Sequence, residues 1–166
     1  MRIAVIDSGP LINLVHLGVA GKLPDYFDII LVPRTVQEEV NCKQRFRYRL
    51  RKLYDTEVFQ RCRSADDANV SILRADKRLD GGEAEGIVQA QERQAGYFIC
   101  DEKRGREIAL NYRLTLAGTL RILARLNLEG RVGNTAELAA KLRHDLRFWF
   151  TEEILRDAIA RAHEPI

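Results

Sequence analysis

Arg2-Ile3-Ala4-Val5-Ile6-Asp7-Ser8-Gly9-Pro10-Leu11-Ile12-Asn13-Leu14 is the stretch that decides the fold. Its unbroken apolar run, Ile3 to Ile6, is closed by a polar turn. Such a run describes a strand buried on both faces, and strands of that kind belong to parallel α/β sheets. Asp7 stands at the carboxyl end of the strand. Gly9-Pro10 then turns the chain, Pro10 suits the first helical position, and Leu11, Leu14, Val15 and Leu17 form an apolar stripe at helical spacing up to Gly18. Ligands of open parallel sheets bind outside the carboxyl ends of the strands, so Asp7 is a site candidate before any motif is considered.

The same pattern recurs outward from this stretch. Ile29-Ile30-Leu31-Val32, ended by Pro33, reads as a second strand; Tyr97-Phe98-Ile99-Cys100, ended by Asp101, and Leu114 to Ala117 read as two more. Asn69 to Leu73 reads as a short edge strand. Amphipathic helical stripes lie between them, one through Ala84, Ile87, Val88, Gln91 and Ala95, another through Leu120, Leu123, Leu126 and Leu128. Strands alternating with helices predict right-handed crossovers and a three-layer α/β/α sandwich around a mainly parallel sheet. The 166 residues, 46% of them hydrophobic, suffice for one sizeable core. Residues 1–128 form that body. Residues 129–166 form a helical extension packed on it, with helices opened by Asn134-Thr135-Ala136-Glu137 and by Thr151. Phe148-Trp149-Phe150 between them either packs the tail on the body or leaves a surface for a partner or a second copy, since three consecutive aromatics cannot all point inward.

Four carboxylates stand out. Asp7 and Asp101 each follow a strand. Glu39 lies on the apolar side of a helix beside Val36 and Val40, whereas Glu38 completes a capping box with Thr35. In Asp80-Gly81-Gly82-Glu83-Ala84-Glu85, Glu83 sits one turn before Ile87, beside the core stripe, and Glu85 points away from it; Asp80 and Glu83 also make a capping box of their own. Asp101 equally suits a cap for the helix starting at Glu102. If Asp7, Glu39, Glu83 and Asp101 converge, their repulsion in a half-buried pocket requires cations or bound protons. Oxygen ligands suit Mg²⁺ or Mn²⁺, one ion or two. Such an ion polarises a phosphoryl oxygen and lowers the pKa of a bound water, so the reaction class is phosphodiester hydrolysis without a covalent intermediate.

The net charge of +3 is too small to identify a nucleic-acid partner by itself, and its placement matters more. Residues 43–63 hold Arg45, Arg47, Arg49, Arg51 and further cations, interleaved with Phe46, Tyr48, Tyr54 and Phe59. The segment suits either a phosphate backbone with stacked bases or a solvated helix whose aromatics enter the core. The odd, dispersed Cys42, Cys62 and Cys100 describe reduced thiols of a cytoplasmic protein rather than a zinc site or disulfide frame. The N-terminus fits neither a signal peptide nor a membrane span. No G-x-G-x-x-G or Walker lysine motif serves a nucleotide, and no G-x-S-x-G surrounds Ser8.

Taken together, the Asp7-Ser8 strand end, Val36-Gln37-Glu38-Glu39-Val40, Gly82-Glu83-Ala84-Glu85, Asp101 followed by Glu102-Lys103-Arg104, and Gly118-Thr119-Leu120 resemble PIN-domain proteins, in particular the branch with a G-E-A-E helix start. The resemblance implies a Mg²⁺- or Mn²⁺-dependent ribonuclease acting on single-stranded RNA, often the toxin partnered by an antitoxin protein. Asp7, Glu39, Glu83 and Asp101 match the acidic set that would bind metal and catalyse. Ser8 matches an auxiliary hydroxyl, with Glu85 and Thr119 in the neighbouring motifs, and Lys103 and Arg104 join the arginines as nucleic-acid contacts. Many members carry a further aspartate after the one matching Asp101, where this chain has Lys103, Arg104, Gly105 and Arg106. A PIN-like module that binds RNA or protein without turnover is the alternative.

Overall fold

Five short strands carry the architecture: β1 (Ile3–Ile6), β2 (Ile29–Val32), β3 (Phe59–Arg61), β4 (Tyr97–Ile99) and β5 (Thr115–Ala117). The computed structural model describes residues 1–63 and 66–166. The helices among them are α1 (Ser8–His16), α2 (Arg34–Cys42), α3 (Gln44–Tyr54), α4 (Asp67–Lys77), α5 (Gly81–Glu92), α6 (Lys103–Asn111), α7 (Thr119–Leu128), α8 (Thr135–Leu146) and α9 (Glu152–Ala160). A 3₁₀ segment at Ala20–Asp25 joins α1 to β2. No helix among the described residues is long and apolar enough to cross a membrane.

All strand pairs are parallel, in the order β3-β2-β1-β4-β5. β1 is central, with Val5 registered to Leu31 on one side and Phe98 on the other. Pleating sends Ala4, Ile6, Ile30, Val32, Ile99 and Ala117 into one core with α1, α3 and α7, and Val5, Leu31 and Phe98 into the opposite core with α5 and α6. The chain runs outward from β1 to β3, then crosses back to β4. The order therefore reverses between β1 and β4, and the crevice at their carboxyl ends is where such sheets receive ligands. Asp7 leaves β1 by donating its N–H to Ile99 O at 2.9 Å, and Asp101 follows β4 two residues later. The topology thus sets both aspartates at this crevice.

Three local expectations are corrected. Residues 69–73 are helical: Asp66 caps α4 by accepting the Asn69 N–H at 2.9 Å, and Val70 and Leu73 turn the same way onto the core. The edge strand is β3 instead, inside the basic segment, with Phe59 buried and Gln60 and Arg61 exposed. Thr35 is not the N-cap of α2, which begins at Arg34 behind Pro33; Glu38 pairs with Arg34 Nε at 2.7 Å. Finally, α5 is buried on every side from Gly82 to Ala90, because it is wedged between the sheet, α2 and α4. Glu85, which the helical wheel turns outward, therefore lies inside, while Gln91 is exposed.

The tail helices open as their caps predict, at Asn134 and Thr151. Leu142 and Ile166 join the α1-side core, and Phe150, Leu155 and Ala158 pack on Leu120 and Ala139. The aromatic trio divides by alternation: Phe148 is half-buried, Phe150 is buried, and Trp149 is 76% exposed.

Candidate metal centre and nucleic-acid cleft

Asp7 is only 5% exposed. Burial is the first reason its carboxyl is pushed up to about 7; the Ser8 N–H works in the opposite direction, and the charges of Asp80, Glu83 and Glu39 raise it further. Ser8, the first residue of α1, thus supplies its amide to the site. Glu39 is exposed on α2, yet its charge reaches Asp7.

Glu83 does two things. As the third residue of α5 it completes a capping box: its N–H donates to Asp80 Oδ1 at 2.8 Å and its Oε2 accepts the Asp80 N–H at 3.1 Å. Its Oε1, however, is buried outside regular hydrogen-bond geometry, with the Gly105 N–H close enough to work against the rise of this carboxyl. Burial, and then the neighbouring acids, hold this carboxyl above its ordinary value. Glycines make the room. A Cβ at Gly105 would lie 2.4 Å from Glu83 Oε1, and one at Gly82 would lie 3.1 Å from Asp7 Oδ1 and 3.5 Å from Asp80 Oδ1.

Asp101 meets a different environment. Its Oδ1 accepts the Thr119 N–H at 2.7 Å, and its Oδ2 accepts Thr119 Oγ1–H at 2.6 Å and an Asn13 Nδ2–H at 3.2 Å. Asn13 Nδ2 also lies 3.2 Å from Thr119 Oγ1. Asp101 therefore caps α7, across the sheet, and leaves α6 without a side-chain cap. Burial raises its carboxyl, opposed by Thr119, the Arg106 guanidinium and Asn13. Arg106 Nη1 donates to Cys100 O at 2.9 Å. The buried Cys100 thiol lies among the acids: burial first, then Asp7, Asp101 and Glu83, push it up.

The expected group of four is accordingly divided. Asp7, Glu83 and Glu39 share one field with Asp80, while the oxygens of Asp101 are taken by donors. No three His, Cys, Asp or Glu side chains among the described residues are arranged to hold one ion unaided. A hard divalent ion still fits. Magnesium takes one or two carboxylates and keeps several waters, and the buried Asp7 carboxyl in the field of Asp80, Glu83 and Glu39 offers oxygen ligands of that kind.

Glu85 accepts N–H bonds from Arg34 at 3.2 Å and Thr35 at 2.8 Å, and the Thr35 hydroxyl. It caps α2 from α5, the role that Thr35 and Glu38 were expected to share. Among the cations, Arg49 donates to Val15 O and His16 O at 3.1 and 3.0 Å, Arg47 to Asn41 O at 2.5 Å, and Arg104 to Lys77 O at 3.0 Å. Lys103 stands 3.9 Å from Glu107, and Arg51 is exposed. Arg45 lines an open cleft, together with Lys43, Gly9, Ile12, Asn13, Asp101, Glu102 and tail residues 145–148. Sequence reasoning missed Asn13, Arg106 and the tail's share in this cleft. Asn13 had a signal: it is a polar residue inside the apolar run Leu11-Ile12 and Leu14-Val15.

A family model described as a PIN domain matches residues 3–164. None of the curated proteins matches the chain. A solved toxin-antitoxin complex from Klebsiella pneumoniae contains a similar chain, 16% identical with a TM-score of 0.47, the likeness covering 60% of this chain and 86% of that one.

Proposed function

The chain belongs to the PIN domain family, and from that premise we propose that it is a Mg²⁺- or Mn²⁺-dependent endoribonuclease that hydrolyses phosphodiester bonds of single-stranded RNA. One observation carries the reading: Asp7, at the switch point of the sheet, is a buried carboxyl repelled by Asp80, Glu83 and Glu39. A cation relieves that repulsion. Asp7 and Glu83 would hold the ion directly, with Glu39 and Asp101 completing its shell through water. A bound ion supplies a polarised phosphoryl oxygen and a water of lowered pKa. The protein's share is positional. The Ser8 N–H fixes the Asp7 carboxylate, the Asp80 capping box aims Glu83, and Thr119 with Asn13 fixes Asp101 at the rim. Within the family this activity suits the toxin of a toxin-antitoxin pair. The exposed Trp149 supports a contact surface for an antitoxin or a second copy of the chain.

The test is cleavage of single-stranded RNA with and without Mn²⁺ by the wild type and Asp7→Asn. Metal-dependent cleavage by the wild type alone is expected; equal cleavage by both overturns the assigned site. A second reading, an RNA-binding module without turnover, draws on the lack of a three-ligand cage among the described residues. It predicts salt-sensitive RNA binding that survives loss of the acids and no cleavage under any metal.

A further inference from the structure

We infer that the cleft between α1, the start of α3 and the C-terminal tail is the seat of a nucleotide flanking the scissile phosphate, with Lys43, Arg45 and Arg147 gripping its phosphates and Phe148 supporting its base. This rests on the ribonuclease reading above and extends it to the tail, which the metal-centre argument leaves unused. The cleft is lined by Asp101 and by Gly9, where a Cβ would lie 4.0 Å from Asp7 Oδ2, so a strand lying in it passes beside the acidic centre.

Charge balance chooses the ligand. Of the cleft's three acids, one is hydrogen-bonded by neutral donors and one is offset by a cation of the tail itself. Asp101 is held by Thr119 and Asn13. Asp145 Oδ2 lies 2.7 Å from both His16 Nε2 and Lys141 Nζ, and its Oδ1 lies 2.8 Å from His144 Nδ1. That leaves the charges of Asp101 and Glu102 against Lys43, Arg45 and Arg147, none of which has a carboxylate partner among the described residues. The cleft is therefore net cationic beside an acidic centre, which is the polarity a phosphodiester strand needs on its way to a metal. A wall of flexible cations with an aromatic face is also the means by which single strands are held without base readout.

The tail wall is built to stay in place. Asp145 ties the end of α8 to the end of α1 through His16. The chain then reverses at Arg147, in the left-handed region with φ 57°, and Phe148 enters the cleft wall with its ring 5.7 Å from Phe150. Arg147 and Phe148 thus both line the cleft from a braced segment.

The experiment measures binding apart from cleavage. Full-length Asp7→Asn protein is titrated against a fluorescent twelve-nucleotide oligouridylate, with inorganic polyphosphate as a competitor lacking bases. Adding Arg147→Asn, which tolerates the left-handed backbone, is expected to weaken oligouridylate binding about tenfold and lower the salt slope by about one. Adding Phe148→Leu is expected to weaken oligouridylate binding about tenfold while leaving polyphosphate unchanged. Arg156→Ala, which removes a tail cation away from the cleft, should change neither; thermal melts confirm that each variant is folded. If Arg147→Asn and Phe148→Leu both bind like Asp7→Asn alone, the RNA lies elsewhere and this inference falls while the ribonuclease reading stands. If no form binds RNA, both fall.

Discussion

Asp7 and Asp101 occupy matching places, each just past a parallel strand and on either side of the switch point, yet they live in opposite surroundings. Asp7 has one backbone N–H and three negative neighbours. Asp101 has three donors aimed at its oxygens and a guanidinium nearby. Both are raised by burial, so burial does not separate them. What separates them is whether the carboxylate's lone pairs are already spoken for: Asp7 is open to a ligand from outside the chain, and Asp101 is committed to holding α7 and α1 together.

Replacing Asp7 should produce the largest effect on function and no loss of folding stability at neutral pH. Asp7→Asn is expected to lower metal-dependent RNA cleavage by about 10³-fold, since polarisation at a metal contributes several kcal/mol. Stability moves the other way. The folded carboxyl titrates at about 7 against 3.8 for the free group, so the folded state binds more protons between those values and loses stability as pH rises through that window. The loss is at most roughly 4 kcal/mol. Denaturation of the wild type should therefore show declining stability from pH 4 to pH 7, and Asp7→Asn should flatten that decline.

Asp101→Ala should show the reverse balance. It strands the Thr119 and Asn13 donors and removes the cap of α7, at about 3 kcal/mol in chemical denaturation. If Asp101→Ala proves as stable as the wild type, the contrast between the two aspartates is wrong.

Metal sharpens the same contrast in a single readout. Mn²⁺ at a hundredfold excess over its Kd adds about 2.7 kcal/mol, which in a protein of this size raises Tm by roughly 5–10 °C at pH 8. The shift should vanish in Asp7→Asn and persist in Asp101→Asn. The smallest effect is expected at the α2 cap: Thr35→Val, which removes one of the bonds to Glu85, should cost about 1 kcal/mol and reduce cleavage only slightly.

Most of the scaffold was legible because its signals are local. The apolar runs at Ile3, Ile29 and Tyr97 need no partner to be recognised, and the caps at Asn134 and Thr151 are written in adjacent residues. β3 was hidden because an edge strand with one buried residue looks like any other stretch of a charged segment. Val70 and Ile72 look β-like until Asp66 starts a helix ahead of them. At the site, spacing identified which acids deserved attention. Their commitments were not readable, because the groups that occupy Asp101 lie 18 and 88 positions away, and the helix that buries Glu85 lies 51 positions away. A helical wheel records one helix's phase and knows nothing of a second layer laid over it.

The bond network between Glu85 and the first turn of α2 carries a consequence for how this molecule tolerates change. Because α2 is pinned at its start by α5, the helix bearing Glu83 also sets where Glu39 begins its reach toward Asp7. Lengthening, shortening or recharging the segment after Cys42 should then leave the acidic centre with its dimensions, because the contacts that pin α2 all lie at its other end.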